Sequence, residues 1–246
     1  MITLTTLNAK YIHTAFGLRY ILANMKDLQP VTRMIEFTIN DQALDVVEKL
    51  LLSNPRIIGF GVYIWNTEET LSVIRIIKEI RPDITIVLGG PEVSYEYQEQ
   101  EIVSLADHLI VGEGEYSFYE LCTNILNKKD SSKIIFAKAP DVRTMALPYH
   151  LYSEHDLAHR VLYVEASRGC PFRCQFCLSS LDTKVRSFPL DSFLAEMQEL
   201  IDRGARQFKF VDRTFNLSTK ISTRILQFFL EQNLPDLFLH FEMIPD

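Results

Sequence analysis

The chain has 246 residues, of which 47% are hydrophobic and 23% are charged, a composition typical of one or two globular domains. Its formal net charge of -7 and the absence of a basic stripe disfavour general nucleic-acid binding. No apolar run reaches the roughly 18 residues of a membrane span. Because Met1–Thr5 also lacks the basic region of a signal peptide, we expect a cytoplasmic protein without a membrane partner.

Apolar runs alternate with helical periods from the N-terminus to Leu126. Continuous apolar strands joined by helices are typical of a parallel sheet that is covered on both faces. The pattern therefore predicts an α/β domain with a doubly wound parallel sheet, for which we expect the flavodoxin-like strand order. The predicted strands are residues 2–7, 31–39, 56–64, 84–88 and 108–111, and the predicted helices are residues 15–28, 42–52, 68–80 and 115–126.

The alternation stops between residues 129 and 160, a polar and proline-containing stretch with one short predicted strand at 134–137. It resumes with predicted strands at 161–166, 207–211 and 237–241 and helices at 190–203 and 219–231. Three βα units are fewer than the eight or so of a closed TIM-type barrel. We therefore predict a first domain at 1–128, a linker at 129–160, and the first three βα units of a partial TIM-type barrel at 161–246.

Three of the four cysteines lie within eight residues, directly after the first strand of the second series, in the segment Ser167-Arg168-Gly169-Cys170-Pro171-Phe172-Arg173-Cys174-Gln175-Phe176-Cys177. In a reducing cytosol, clustered thiols are more often metal ligands than disulfide partners. Iron–sulfur clusters are usually held by four cysteines, so three ligands at this spacing leave one iron open. The alternative is a zinc site that a histidine such as His155 or His159 completes.

This Cys-x-x-x-Cys-x-x-Cys spacing, with an aromatic residue before the last cysteine, resembles the radical S-adenosylmethionine (SAM) superfamily. The resemblance implies that Cys170, Cys174 and Cys177 hold a four-iron four-sulfur cluster whose open iron binds the amino and carboxylate groups of SAM. One-electron reduction then cleaves SAM and releases a 5′-deoxyadenosyl radical. The resemblance also implies that Phe176 lies beside the adenine, and that a donor such as flavodoxin or ferredoxin supplies the electron.

Two carboxylates extend the resemblance with departures from the family pattern. The family has a Gly-Gly-Glu type segment at the end of its second strand, which binds the SAM amino group. Here the glycines are absent and Asp212 lies near the Glu position, so Asp212 is either that contact or a structural loop carboxylate. Glu242 follows the third strand, where barrel enzymes carry functional residues, and resembles a contact to the SAM ribose or methionine. An exposed carboxylate without a ligand is the alternative.

The first domain carries glycines and aromatic residues after its predicted strands, where doubly wound domains bind ligands. Glycine at these positions lets a bulky flat ligand approach the backbone. A domain of this kind ahead of a radical SAM core resembles the cobalamin-binding radical SAM class. The residues that the resemblance places beside cobalamin are Asn8, His13, Tyr63, Trp65, Gly89, Gly90, Gly112, Glu113 and Gly114.

His13 lacks the sequence setting of an axial cobalt ligand. Base-off cobalamin proteins with an axial histidine carry Asp-x-His-x-x-Gly, whereas here Tyr11 occupies the Asp position and Gly17 is one position late. No carboxylate is then present to fix the histidine tautomer and raise its basicity. We expect His13 to lie near the cofactor or to cap the following helix, and not to ligate cobalt.

Three functions are compatible with these observations. The first is a cobalamin-dependent radical SAM enzyme, such as a methyltransferase, acting on a small-molecule or other substrate that the sequence does not indicate. The second is a corrinoid-binding module without catalysis, and the third is a zinc-stabilised interaction protein. Because the second domain contains only part of the family's barrel, we expect a fragment of a longer enzyme that turns over poorly.

Overall fold

A computed structural model describes residues 1–244, apart from the side chains of Ser180 and Leu181. It divides into two compact units, each with its own parallel sheet. The first unit comprises residues 1–140 and 146–148, and the second comprises residues 141–145 and the chain from Tyr149. Among the described residues, no helix is both long and apolar enough to cross a membrane.

The first unit contains a six-stranded parallel sheet. Its strands are β1 (Ile2–Asn8), β2 (Thr32–Thr38), β3 (Ile57–Gly61), β4 (Thr85–Gly89), β5 (His108–Val111) and β6 (Ile134–Phe136). They lie in the order β2-β1-β3-β4-β5-β6, and all neighbouring pairs are parallel. The predicted flavodoxin-like order of the first five strands is therefore confirmed.

Helices cover both faces of this sheet, as the continuous apolar strands require. The helices are α1 (Phe16–Ala23), α2 (Ala43–Leu51), α3 (Thr67–Ile80), α4 (Glu101–Leu105) and α5 (Glu115–Leu126). Alternate side chains of one strand point to opposite faces. Ile57 accordingly packs in the core beneath α1 and α5, whereas Ile58 and Phe60 pack in the core beneath α2, α3 and α4.

The interval 129–160, predicted as a linker, contains regular structure, one part of which belongs to the first unit and another part to the second. β6 pairs with β5 and forms one edge of the first sheet, so the first compact unit extends to Pro140. Farther along the interval, α6 (Glu154–His159) belongs to the second unit and begins with a capping box between Ser153 and Asp156. The short strand predicted at 134–137 corresponds to β6, whereas the six-residue α6 was not predicted because it is too short for a clear apolar period.

The second unit contains a three-stranded parallel sheet of β7 (Leu162–Val164), β10 (Gln207–Phe210) and β11 (Phe238–His240). The strands lie in the order β11-β10-β7, so strands that follow one another along the chain by way of a helix are neighbours in the sheet. The connecting helices are α7 (Leu190–Asp202) and α8 (Thr219–Glu231). Sequential neighbours of this kind form the wall of a barrel, as predicted. A short antiparallel pair, β8 (Ser167–Arg168) and β9 (Arg186–Ser187), was not predicted.

Candidate functional site

The glycine turn after β4 brings two strand ends of the first unit into backbone contact. The Val62 N–H donates to the Gly89 carbonyl at 2.8 Å. Gly90 has a φ of +118°, and a Cβ there would lie 2.3 Å from the Val62 carbonyl oxygen. Only glycine fits both this backbone conformation and this space. Gly90 thus allows the two strand ends to approach closely, and Gly89 and Gly90 are both half-buried at the carboxyl edge of the sheet.

A second glycine turn, after β5, is connected to the first by one serine. The Ser94 hydroxyl donates to the Gly90 carbonyl at 2.7 Å, and the Gly112 N–H points to the same hydroxyl oxygen at 3.4 Å. Gly112 has a φ of +95°, but a Cβ there would meet only ordinary contacts with Ala137. Ser94 was missed from the sequence because both of its partners are backbone atoms that only the folded sheet brings together.

Glu113 and Gly114 lie between β5 and α5, at the same edge of the sheet. Glu113 is half-buried, and the Gly114 carbonyl accepts the Phe118 N–H at 2.8 Å, closing the first turn of α5. The edge therefore includes a helix N-terminus, whose backbone dipole is positive.

Asn66 fixes the turn that follows β3, and it too was not predicted as a site residue. Its side chain is fully buried. The amide nitrogen donates to the Leu7 carbonyl at 3.0 Å and to the Gly61 carbonyl at 3.2 Å, and the amide oxygen accepts the Tyr63 N–H at 2.8 Å. One side chain thus joins the carboxyl ends of β1 and β3 and sets the course of residues 63–65.

The turn that Asn66 holds presents apolar side chains to solvent. The rings of Tyr63 and Trp65 stack with centroids 4.6 Å apart, and Trp65 remains 45% exposed while Ile64 is 78% exposed. Exposed apolar groups that cluster at one place mark ligand or partner sites. Other large apolar side chains exposed after strands of the same sheet are Tyr11, Ile12 and Tyr95.

Asn8 and His13 lie at the two sides of the loop that follows β1. Asn8 is buried, and its amide nitrogen donates to Glu36 Oε2 at 2.7 Å. His13 is half-buried, and its backbone N–H donates to the Lys10 carbonyl at 3.1 Å, which turns the loop. The edge as a whole fits a flat macrocycle, because backbone without side chains lies beside exposed aromatic and aliphatic groups.

In the second unit, the cysteine segment is a loop whose stem is closed by β8 and β9. Ser167 pairs with Ser187 and Arg168 pairs with Arg186. Inside this stem, Gly169 has a φ of +86°, and a Cβ there would lie 2.4 Å from the Lys184 carbonyl oxygen. The sequence-predicted sharp turn at the start of the cysteine loop is therefore present, and backbone packing makes glycine necessary.

The three cysteines of this loop differ in exposure. Cys170 is buried and its N–H donates to the Asp182 carbonyl, Cys177 is half-buried, and Cys174 is exposed. Phe176, the predicted adenine contact, is 96% exposed. Within residues 1–244, no three His, Cys, Asp or Glu side chains are placed to hold a metal ion. The three thiols still suit a soft metal centre, because thiols on one short loop are the ligands of iron–sulfur and zinc sites.

Charges on the stem of the cysteine loop are arranged in pairs. Arg168 Nε lies 2.8 Å from Glu165 Oε1, and both side chains are largely buried. Arg186 Nη2 lies 2.7 Å from Asp182 Oδ2. Arg173, in the middle of the loop, is exposed. The two stem arginines thus rigidify the base of the loop through charge-assisted hydrogen bonds, and their carboxylate partners balance their charge.

Asp212 follows β10 and binds the start of the cysteine loop. Its carboxylate accepts the Ala166 N–H at 3.0 Å and the Ser167 hydroxyl at 2.7 Å. Burial raises the pKa of Asp212, and these hydrogen bonds oppose that rise. Asp212, Ser167 and Thr214 line a cavity of about 80 Å³, and Thr214 Oγ1 lies 3.7 Å from Cys170 Sγ.

The remaining sequence candidates of the second unit lie at two places. Glu242 is exposed just after β11, and its backbone carbonyl accepts the Phe215 N–H at 2.9 Å. His155 and His159, the alternative zinc ligands, lie on α6 with ring centroids 4.5 Å apart. His159 Nδ1 donates to the His155 carbonyl at 3.1 Å, so a neutral His159 carries its proton on that nitrogen.

The first unit matches a known family of ligand-binding domains. Residues 2–122 match the family model of the B12 binding domain. This range contains β1 to β5 together with the strand-end turns described above, so the match covers the whole candidate edge of the sheet.

Curated relatives include methyltransferases. An uncharacterised methyltransferase of Pyrococcus horikoshii, PH0819, is 26% identical over 242 residues, which cover 86% of this chain and 52% of the relative. The cobalamin-dependent radical SAM methyltransferase TokK of Streptomyces tokunonensis is 26% identical over 152 residues, covering 50% of this chain and 22% of TokK. The chain spans about half the length of the first of these relatives and less of the second.

Solved structures extend the likeness to both units. The radical SAM methyltransferase TsrM of Kitasatospora setae, solved with cobalamin and a [4Fe-4S] cluster, has a TM-score of 0.72 at 17% identity and covers 97% of this chain and 53% of that one. The cobalamin-dependent SAM radical enzyme OxsB has a TM-score of 0.68 at 16% identity. Likeness at such identity establishes the fold. The first unit of this chain therefore belongs to the B12-binding domain family, and the chain as a whole has the fold of the cobalamin-binding radical SAM proteins.

Proposed function

We propose that this chain binds cobalamin at the carboxyl edge of its first sheet and a [4Fe-4S] cluster on its cysteine loop, and that it serves a cobalamin-dependent radical SAM methyltransferase. The observation that carries the proposal is the combination in one chain of two features. One is a B12-family sheet edge with side-chain-free turns, and the other is a loop with three thiols after the first strand of a second parallel sheet.

For the cobalamin, the chain would supply a surface and not a cobalt ligand. Gly89 and Gly90 add no side chains to the half-buried edge that a flat ring would approach, while Trp65 and its neighbours offer apolar area for the ring to cover. Burying apolar surface contributes about 25 cal/mol per Å². His13 remains half-buried at the edge of this surface, and no acidic residue occupies the position two residues before it. The chain's share is therefore to hold the ring and exclude water.

For the cluster, Cys170, Cys174 and Cys177 would be the ligands. Bound together, the cofactors supply one-electron cleavage of SAM to methionine and a 5′-deoxyadenosyl radical, and a corrinoid carrier for the methyl group. The electron comes from a one-electron donor such as flavodoxin or ferredoxin. The buried Cys170 sets the inner end of the loop, and Asp212 holds the strand end from which the loop starts. Phe176 is free to cover a bound adenine, since 96% of it is exposed.

Anaerobic reconstitution with iron, sulfide and hydroxocobalamin tests the proposal. We expect absorption bands of both cofactors, about four irons and four sulfides per chain, and 5′-deoxyadenosine after addition of SAM and a strong reductant. Protein that binds cobalamin but neither iron nor sulfide would instead be the corrinoid-binding module. Zinc bound on the cysteine loop in place of iron would contradict the proposed cluster.

A further inference from the structure

Glu36 is a charged residue on β2 that reaches both ends of the loop following β1. Its Oε2 atom accepts the Asn8 side-chain amide at 2.7 Å, at the end of β1. The same oxygen accepts the Ala15 backbone N–H at 2.8 Å, where the loop leads into α1. One carboxylate oxygen therefore closes the loop of residues 9–14 at its base.

A buried ion pair fixes the position of this carboxylate. Glu36 Oε1 lies 2.7 Å from Arg19 Nη1, and the two side chains are only 10% and 2% exposed. Arg19 Nη1 also donates to the Ala15 carbonyl at 3.3 Å, so the guanidinium is attached to the same helix start. Ion pairs removed from water in this way have well-defined geometry, because moving either partner leaves a buried charge uncompensated.

The loop that Glu36 closes carries exposed apolar side chains at the candidate cobalamin edge. Tyr11 is 52% exposed and Ile12 is 42% exposed, directly after β1. Between the two anchored ends, the His13 N–H donates to the Lys10 carbonyl at 3.1 Å and turns the loop. Because Glu36 bonds both ends of the loop, it contributes to the position of the exposed side chains between them.

We propose that Glu36 is the positioning residue that holds loop 9–14 in the conformation that receives cobalamin. The proposal rests on the proposed function, because the occupant of the edge is taken to be cobalamin. Glu36 is largely buried and bonded below the loop, so it acts on the ligand through the loop.

The informative variant is Glu36→Gln, which preserves size and removes the charge. A glutamine amide has one acceptor oxygen and one donor group, so it cannot accept from Asn8, Ala15 and Arg19 as the carboxylate does. Should this variant fold poorly, Asn8→Ala removes one side-chain donor to the carboxylate and leaves Glu36, Arg19 and the Ala15 N–H in place.

Asp107→Asn is the matched control. Asp107 Oδ2 accepts Lys78 Nζ at 2.6 Å and the Ile86 N–H at 2.6 Å, so this carboxylate also joins a cation and a backbone N–H. It precedes β5 and lies at the amino edge of the same sheet, opposite the candidate site. Both variants should lower the free energy of unfolding, but only Glu36→Gln should change the conformation of loop 9–14.

The two readouts are the Kd for hydroxocobalamin and the rate at which trypsin cuts after Lys10, an exposed loop residue. We expect Glu36→Gln to raise the Kd about tenfold or more, as loss of a hydrogen bond to a charged group does, and to speed the cut unless cobalamin is present. Asp107→Asn should change neither.

Equal effects of Glu36→Gln and Asp107→Asn on the Kd would overturn the proposal, since both would then act through general stability. If the wild-type chain does not bind cobalamin, the proposed function fails and the ligand role of Glu36 fails with it. The trypsin rates then still decide whether Glu36 holds the loop, so the two failures are distinguishable.

Discussion

Gly90 and Gly112 follow neighbouring strands and both have positive φ angles, yet the structure constrains them differently. At Gly112 the constraint is the backbone angle alone, whereas at Gly90 a Cβ would also overlap the Val62 carbonyl. Sequence patterns indicate glycine turns of this kind but cannot separate the two causes. The distinction depends on how closely β3 and β4 approach each other beyond their last paired residues.

This difference predicts unequal effects of two alanine substitutions. Gly112→Ala should cost about 1–2 kcal/mol, the penalty for a left-handed backbone angle. Gly90→Ala should cost clearly more and should weaken cobalamin binding, because the Val62 backbone must move away. Urea unfolding and cobalamin titration of the two variants measure both effects. Equal losses of stability would show that the turn after β4 relaxes freely.

Asp212 is a residue whose type and position were noticed in the sequence but whose partners were not. The sequence indicated either a contact to the SAM amino group or a structural role for Asp212. In the structure the carboxylate accepts hydrogen bonds from the Ala166 N–H and the Ser167 hydroxyl. These partners lie 45 or more positions away in the chain, so only the pairing of β7 with β10 reveals them.

Burial raises the pKa of Asp212 above its ordinary value of 3.8, and this predicts a pH dependence. The protonated form is then favoured by folding, so the stabilising contribution is full below the unfolded pKa and is lost as pH rises through the folded pKa. Asp212→Asn has no such titration. The stability of wild type minus that of Asp212→Asn should therefore fall as pH rises from acid towards neutral. Urea unfolding across that range measures this difference in unfolding free energy. A difference that does not change with pH would contradict the prediction.

At the scale of elements, every strand of the two parallel sheets was predicted, but α1 ends at Ala23 and not at residue 28, and several short or non-local features were missed. β5 and α8 have the predicted bounds, because apolar periodicity is a local signal. The five-residue α4 and the pairing of β8 with β9 were missed. The first spans little more than one helical turn, which is too short for a repeating apolar pattern, and the second joins residues on either side of the cysteine loop. The sequence located the loop but not the stem that supports it.

The turn after β3 also depends on one side chain, and this predicts an effect of Asn66→Ala. The variant leaves the Tyr63 N–H without its acceptor and removes donors to Leu7 and Gly61, at a cost of about 1–3 kcal/mol for each buried group left unsatisfied. Because residues 63–65 lose their anchor, cobalamin affinity should fall as well.

Asn24→Ala is the control for that experiment. Asn24 is likewise buried and likewise makes amide bonds on both sides, donating to the Tyr20 and Ala146 carbonyls and accepting the Ala146 N–H. It lies at the end of α1, away from the strand-end turns. Thermal melting should show a loss in both variants, and cobalamin titration a loss in Asn66→Ala alone. A similar loss of cobalamin affinity in both variants would contradict the assignment of residues 63–65 to the cobalamin site.

On the scale of the whole molecule, the two candidate sites lie in different compact units with separate sheets. The B12-family residues are confined to the first unit, and the clustered cysteines are confined to the second. The break in periodicity after Leu126 is the basis on which we predict two domains separated by a linker. Cys122 lies on α5 in the first unit and is buried in that unit's core, as its position in an apolar helical segment indicates.

The division predicts that cluster and cobalamin loading respond to different cysteines. Replacing Cys170, Cys174 or Cys177 by Ala removes a thiol from the loop, so bound iron and sulfide should fall sharply after reconstitution. Cobalamin affinity should stay unchanged, because the strand-end turns belong to the first unit. Burial raises the pKa of Cys122 to about 12, which keeps it a thiol and not a ligand, so Cys122→Ala should leave the iron content intact. Metal analysis and cobalamin titration of all four variants measure both properties, and a Cys122 variant that loses iron would contradict the assignment of the cluster to the loop.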